Sequence, residues 1–336
     1  MKIICFDLEG PLSSQDNAYE VMGLIPNGHK LFEVISRYDD LLTLEGREDY
    51  EPGDTLKLII PFLLCHEISE GDIRKVSDRA GLVRGAAGLI ARLKTEGWDI
   101  YIVSTSYEQH AHNIARQLGI GKENVFCTSF PLDDLRQVLK GEELSLLAER
   151  ERYIASELYG EELGEGRRDH LIKPYLDRFY WWELSETRAG HAIAKVDVLG
   201  GRRKVWAMER IAREVGAYLE DICFVGDSIT DGQAAKVIEN SGGLAVAFNA
   251  NAFVLPYATV GLATIDLLHL ESILGAWQEG GRRKVKLLVE GMPRPAIDEG
   301  PYYHWLVGRS EGEMEGILAI HRKLRRMVRE EAGKLG

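Results

Sequence analysis

Two short apolar runs, far apart in this chain, both stop at carboxylates, and few architectures tolerate that arrangement twice. One is Lys2-Ile3-Ile4-Cys5-Phe6-Asp7-Leu8-Glu9-Gly10-Pro11. The other is Asp221-Ile222-Cys223-Phe224-Val225-Gly226-Asp227-Ser228-Ile229-Thr230-Asp231. A continuous apolar run that ends in Asp and a turn residue reads as a buried parallel strand. Such a strand delivers its carboxylates to the C-terminal sheet edge, where open α/β folds bind ligands. Carboxylates gathered there repel one another unless a cation intervenes, and hard oxygen ligands of this kind suit Mg²⁺.

Two further pieces lie between the acidic runs. Gly97-Trp98-Asp99-Ile100-Tyr101-Ile102-Val103 is a strand of the same style, and it leads into Ser104-Thr105-Ser106-Tyr107. Small hydroxyl residues at that edge donate hydrogen bonds to an anion. Lys204 stands in Gly200-Gly201-Arg202-Arg203-Lys204-Val205-Trp206, at the start of a helical pattern that continues through Met208, Ile211, Ala212 and Val215. That helix precedes the second acidic strand, so its ammonium can lie beside those carboxylates and hold a phosphate as a point charge.

Strand and helix patterns alternate around these motifs, which argues for a doubly wound parallel sheet. Taken in order, Asp-x-Glu, Ser/Thr, Lys and Gly-Asp-Ser-x-x-Asp resemble the haloacid dehalogenase superfamily, most closely its phosphoserine phosphatase-like branch. The resemblance covers residues 1–14, 84–128 and 200–270. It implies an α/β fold with a Rossmann-like core and a helical cap inserted at 15–83; a second, mostly helical insertion at 129–199 is larger than the hairpin usual in that branch, and a helical extension at 271–336 lies outside the resemblance. The implied activity is a Mg²⁺-dependent phosphomonoester hydrolase that acts on a small phosphorylated metabolite through an aspartyl-phosphate. Asp7 would be the nucleophile and Glu9 the acid and base. Ser104, Thr105 and Lys204 would grip the phosphoryl oxygens. Asp7, Asp227 and the backbone carbonyl of Glu9 would hold the metal, with Asp231 orienting a water or Lys204 from behind it. The chain departs from most of the superfamily's phosphatases at Glu9, where they carry Asp; some relatives use Asp-x-Glu-Gly. Asp16 would correspond to a cap glutamate that meets a substrate ammonium. The neighbourhood expected to supply a cap arginine, Thr55-Leu56-Lys57-Leu58-Ile59-Ile60-Pro61-Phe62, is largely apolar, so phosphoserine specificity does not transfer.

The formal net charge of -12 argues against nucleic-acid binding, which relies on positive charge. No basic region followed by an apolar core opens the chain, and no apolar stretch approaches the ~20 residues that span a bilayer. Four cysteines, Cys5, Cys65, Cys127 and Cys223, show neither metal-ligand spacing nor a disulfide framework, which suits a reducing cytoplasm. His110 and His112, two apart, point to different helix faces and do not share a metal.

Phe179-Tyr180-Trp181-Trp182 reads first as local core and alternatively as a substrate platform. Near the C-terminus, Ile317, Ile320, Leu324, Met327 and Val328 share one helical face, with Arg322, Lys323, Arg325, Arg326 and Arg329 elsewhere. This helix is expected to pack on the body or to meet a protein partner, as is the second insertion. The rival to catalysis is accordingly a non-catalytic accessory protein that keeps the fold and binds a partner.

Overall fold

A computed structural model describes residues 2–135, 141–160, 166–293, 295 and 298–329. Seven strands form one sheet: β1 (Ile3–Phe6), β2 (Asp99–Tyr107), β3 (Val125–Thr128), β4 (Ile222–Gly226), β5 (Leu244–Phe248), β6 (Val260–Ala263) and β7 (Tyr302–Trp305). Their spatial order is β3-β2-β1-β4-β5-β6-β7, and every pairing is parallel except β6 with β7. The winding reverses between β1 and β4, and at such a reversal the loops leave in opposite directions and open a crevice above the strand ends.

Both faces of the sheet are covered, which is why the strands read as unbroken apolar runs. Ile4, Phe6, Ile102 and Val225 pack on one face against Leu89 and Ile90 of the helix Ala86–Thr95, Ile114 of Glu108–Gln117 and Ile273 of Leu270–Gly291. Their neighbours Ile3, Cys5, Val103 and Phe224 face Met208 and Ile211 of Arg202–Val215 and Ile238 of Gly232–Asn240 on the other. The two-residue period of a strand sorts the side chains in this way. Cys5 and Cys223 are buried and all four cysteines are free.

The first insertion folds into the helices Asn17–Met22, Gly28–Glu45, Thr55–Leu58, Ile60–Cys65 and Glu70–Ser77. The second contributes Gly141–Tyr153, Asp169–Arg178 and Arg188–Ile193, with wide turns at Ile154–Leu158 and Phe179–Glu183. The two share one apolar core in which Tyr38, Phe62, Leu158, Phe179 and Tyr180 are all buried. Polar contacts pin the join: Trp181 Nε1 donates to the Tyr38 hydroxyl (2.7 Å), which donates to Asp177 (2.6 Å), and Tyr180 donates to the Leu58 carbonyl (2.9 Å). The aromatic run is therefore core, apart from Trp182, which is exposed.

The C-terminal extension departs from the helical expectation in two ways. Tyr302-Tyr303-His304-Trp305 forms the antiparallel edge strand β7, in keeping with the preference of aromatic residues for strands. In the helix Glu311–Arg329, the buried residues are His321, Leu324, Arg325 and Arg329, whereas Met327 is exposed. Of the expected apolar face, Leu324 is buried and Ile317 and Val328 pack on the body, but the buried stripe also takes in two arginines because the helix ends over carboxylates, where guanidinium groups rather than methyls find partners. Among the described residues, no helix is long and apolar enough to cross a membrane.

Candidate active site

β1, β2 and β4 are adjacent, so the residues at their C-terminal ends converge. Asp7 follows β1, and its backbone N–H donates to the Val225 carbonyl of β4 at 2.8 Å. Ser104 lies on β2 and Asp227 directly after β4. Oxygens of Asp7, Asp227 and Asp231 all lie within 4.8 Å of one another, and all three residues are buried.

Lys204, at the start of the helix Arg202–Val215, is fully buried among them. Its ammonium donates to Asp7 Oδ1 (2.8 Å) and Asp231 Oδ1 (2.7 Å). Burial works against that charge, but Asp231 and Asp7 more than offset it and hold the lysine above its ordinary range. Asp231 Oδ2 accepts from the backbone N–H groups of Asp227 (2.9 Å) and Ser228 (3.1 Å), so Asp231 is held on both sides. Burial first, then Asp231, pushes the Asp7 carboxyl up to about 7, with Lys204 pulling the other way.

Glu9 faces the β2 edge. Its Oε1 accepts from Ser106 Oγ (2.6 Å) and from the backbone N–H of Asn17 (3.1 Å), the latter at the first cap helix. Burial, with Asp16 beside it, raises its carboxyl to about 8. A carboxyl tuned so high carries a proton near neutrality, the state a general acid needs. Ser104 is buried, and its Oγ accepts from the Ser106 N–H (3.1 Å). Thr105 spends its hydroxyl on the Leu199 carbonyl (3.1 Å), tying β2 to the end of the second insertion. Asp16 caps the helix Asn17–Met22 by accepting from the Tyr19 N–H (3.0 Å), and lies 3.7 Å from the Arg329 guanidinium. It thus already faces a cation of this chain.

The cavity above these residues is lined by Asp7, Glu9, Ser104, Thr105 and the turn Ser228–Thr230, by cap residues Asp16, Asp39, Asp40 and Gly53, and by Arg325 and Arg329. The last two were not legible as site residues. The only sequence signal was a pair of arginines four apart, Arg325 and Arg329, on a helix whose other arginines face solvent. Both donate to Asp227 Oδ2. The other oxygen, Asp227 Oδ1, is buried and has no hydrogen-bond partner. An orphaned carboxylate oxygen beside two other carboxylates is the donor set a hard divalent cation requires, so the residues fit the metal that the motifs imply. His110 is buried and bonded to Ser77 (2.8 Å), and Asn249 and Asn251 hold turns, with Asn249 accepting from the Thr264 N–H. His110 Nε2 lies 3.8 Å from Glu9 Oε1, and the Asn251 N–H holds the Asp227 backbone carbonyl at 2.9 Å.

This doubly wound α/β fold is similar to that of phosphoserine phosphatase. The gene product AF1437 from Archaeoglobus fulgidus has a similar structure over the whole of this chain and 99% of its own, with 27% identity and a TM-score of 0.83. A phospho-aspartyl intermediate analogue of phosphoserine phosphatase matches 81% of this chain and 97% of its own, at 18% identity and a TM-score of 0.51. No family model and no curated protein sequence matches the chain.

Proposed function

We propose that the protein is a Mg²⁺-dependent phosphomonoester hydrolase that works through an aspartyl-phosphate on Asp7. The observation that carries this reading is the buried Lys204 ammonium shared between Asp7 and Asp231, with the orphaned Asp227 oxygen beside them. Phosphoryl transfer asks the protein mainly to position groups and neutralise charge, and this cluster does both.

Asp7 supplies the attacking oxygen, and Lys204 keeps it ionised and turned into the cavity. Ser104 and Lys204 bind the phosphoryl oxygens; the Thr105 hydroxyl, engaged with Leu199, assists through position rather than direct donation. Protonated Glu9, steadied by Ser106 and Asn17, gives its proton to the leaving oxygen and then, as carboxylate, takes one from the water that hydrolyses the aspartyl-phosphate. Asp7 and Asp227, with the Glu9 carbonyl, would hold Mg²⁺, which supplies charge neutralisation as the phosphoryl group transfers. Asp231 acts through Lys204 and the turn Asp227-Ser228.

The substrate is a small phosphorylated molecule whose leaving group meets Glu9 and the cap. Asp7→Asn keeps the shape of the site and removes the nucleophile. Turnover of p-nitrophenyl phosphate with Mg²⁺ falls to background in that variant. Undiminished turnover sinks the mechanism, and a parent protein inert toward a broad panel of phosphomonoesters favours the accessory role instead.

A further inference from the structure

Two guanidinium groups reach the carboxylate cluster from the C-terminal helix, and the catalytic scheme leaves both unused. Arg325 and Arg329 keep only 3% and 5% of their side chains exposed. Arg325 Nη1 donates to Asp227 Oδ2 and also to the Asp227 backbone carbonyl at 3.2 Å. Arg329 Nη1 donates to the same Oδ2 at 3.0 Å. Every side-chain bond to Asp227 thus falls on one oxygen, and the other is left bare and buried.

That asymmetry has a mechanical consequence. An aspartate carboxylate turns about its last torsion in a broad well, so nothing intrinsic decides which oxygen faces a cation. Two charged donors converging on Oδ2 remove that freedom. The helix that carries them is seated on the same loop system: His321, one turn before Arg325, accepts from the Ala250 N–H at 3.0 Å, and the next residue, Asn251, donates its N–H to the Asp227 carbonyl at 2.9 Å. His321, Arg325 and Arg329 stand four apart and lie on one stripe, so seating the helix at Ala250 brings both guanidinium groups to Asp227.

We propose that Arg325 and Arg329 are positioning residues that lock the Asp227 carboxylate with Oδ1 turned to the divalent cation, so that docking of the C-terminal helix completes the cation site. The proposal rests on the phosphatase reading only for the presence of a cation.

Mn²⁺, followed by its electron paramagnetic resonance signal in titrations of the full chain, tests it without any turnover. Removing an outer partner of a metal ligand typically costs 10–100-fold in affinity. Arg325→Met and Arg329→Met are each expected to weaken Mn²⁺ binding by about that factor, with Arg325→Lys, which keeps one charged donor, recovering part of the loss. Melting curves establish that each variant is folded; if Arg325→Met is not, Arg329→Gln, at the helix end, decides. Unchanged or tighter binding in the folded variants overturns the proposal, and tighter binding would mean that the arginines compete with the cation. A parent that binds no Mn²⁺, or an Asp227→Asn protein that binds it equally well, overturns the cation site itself and this inference with it.

Discussion

Lys204 and Asp7 form a buried ion pair of 2.8 Å that joins the start of a helix to the end of the central strand. A pair this deep gains little net stability from its own attraction, but breaking it by removing one partner typically costs about 3–5 kcal/mol. Lys204→Met should therefore lower the melting temperature measurably. Its effect on chemistry should be larger, because the Asp7 carboxyl, already near 7, rises further without the lysine and is protonated at neutral pH. Turnover of p-nitrophenyl phosphate is expected to fall by at least about 10²-fold, the typical cost of losing one charge-stabilising donor. Wild-type turnover in Lys204→Met would remove the lysine from the mechanism.

Glu9 separates the two chemical steps. Loss of a general acid or base typically costs about 10²–10⁴-fold, and protonation matters most for a poor leaving group. In Glu9→Gln, alkyl phosphates are expected to turn over far more slowly. With p-nitrophenyl phosphate the phenolate leaves unaided, so Asp7 is still phosphorylated, but the hydrolytic water has lost its base. Rapid mixing should then show one stoichiometric burst of nitrophenolate followed by a slow steady state. Unchanged steady-state rates on both substrate types would leave Glu9 a structural group.

The three strands that form the carboxylate edge, β1, β2 and β4, were legible because buried parallel strands write themselves as apolar runs, and Asp7, Ser104 and Asp227 fall where those runs stop. Lys204 and Asp231 were legible only through their order along the chain. Three features were hidden for different physical reasons. β7 is a short aromatic strand that completes an edge, a long-range pairing with no local marker. The merging of the two insertions depends on Tyr38 meeting Tyr180 and Trp181, a contact between segments far apart in sequence. Arg325 and Arg329 were read only as lying off the apolar face, because hydrophobic patterning cannot register an anionic cluster waiting beneath a helix.

Gly53 marks where the cap touches the catalytic edge. Its φ of +93° is open to glycine, and a Cβ there would stand 2.7 Å from Thr105 Cγ2 and 2.9 Å from Thr230 Cγ2. Gly53→Ala is expected to destabilise the protein by about 1–3 kcal/mol through backbone strain and the two methyl clashes. Thr105→Ser removes one of those methyls, so the double variant Gly53→Ala/Thr105→Ser should recover part of the loss in urea unfolding. Simple additivity of the two substitutions would show that the cap loop has room to move away from β2.

Asp40, on the cavity wall in the helix Gly28–Glu45, gives a prediction whose sign is fixed by its surroundings. Burial, then Asp39, pushes its carboxyl up to about 7; Arg37 opposes this from 3.8 Å, but that guanidinium is committed to Asp169, which it grips at 2.9 and 2.6 Å. An aspartate in the unfolded chain titrates near ~3.9, so the folded protein holds the Asp40 proton more tightly than the unfolded one. The stability this group contributes is complete below about pH 4 and is lost as the pH rises through about 7. Asparagine mimics the protonated form at every pH. Asp40→Asn should therefore be more stable than the parent at pH 8, on the order of a few kcal/mol at most, and should lose that advantage at pH 4. Urea unfolding of both proteins at the two pH values reads the difference directly, since every other titrating group is common to them. An advantage of equal size at pH 4 and pH 8 would show that the gain comes from packing or hydrogen bonding of the amide, and that Asp40 ionises in the folded protein without penalty.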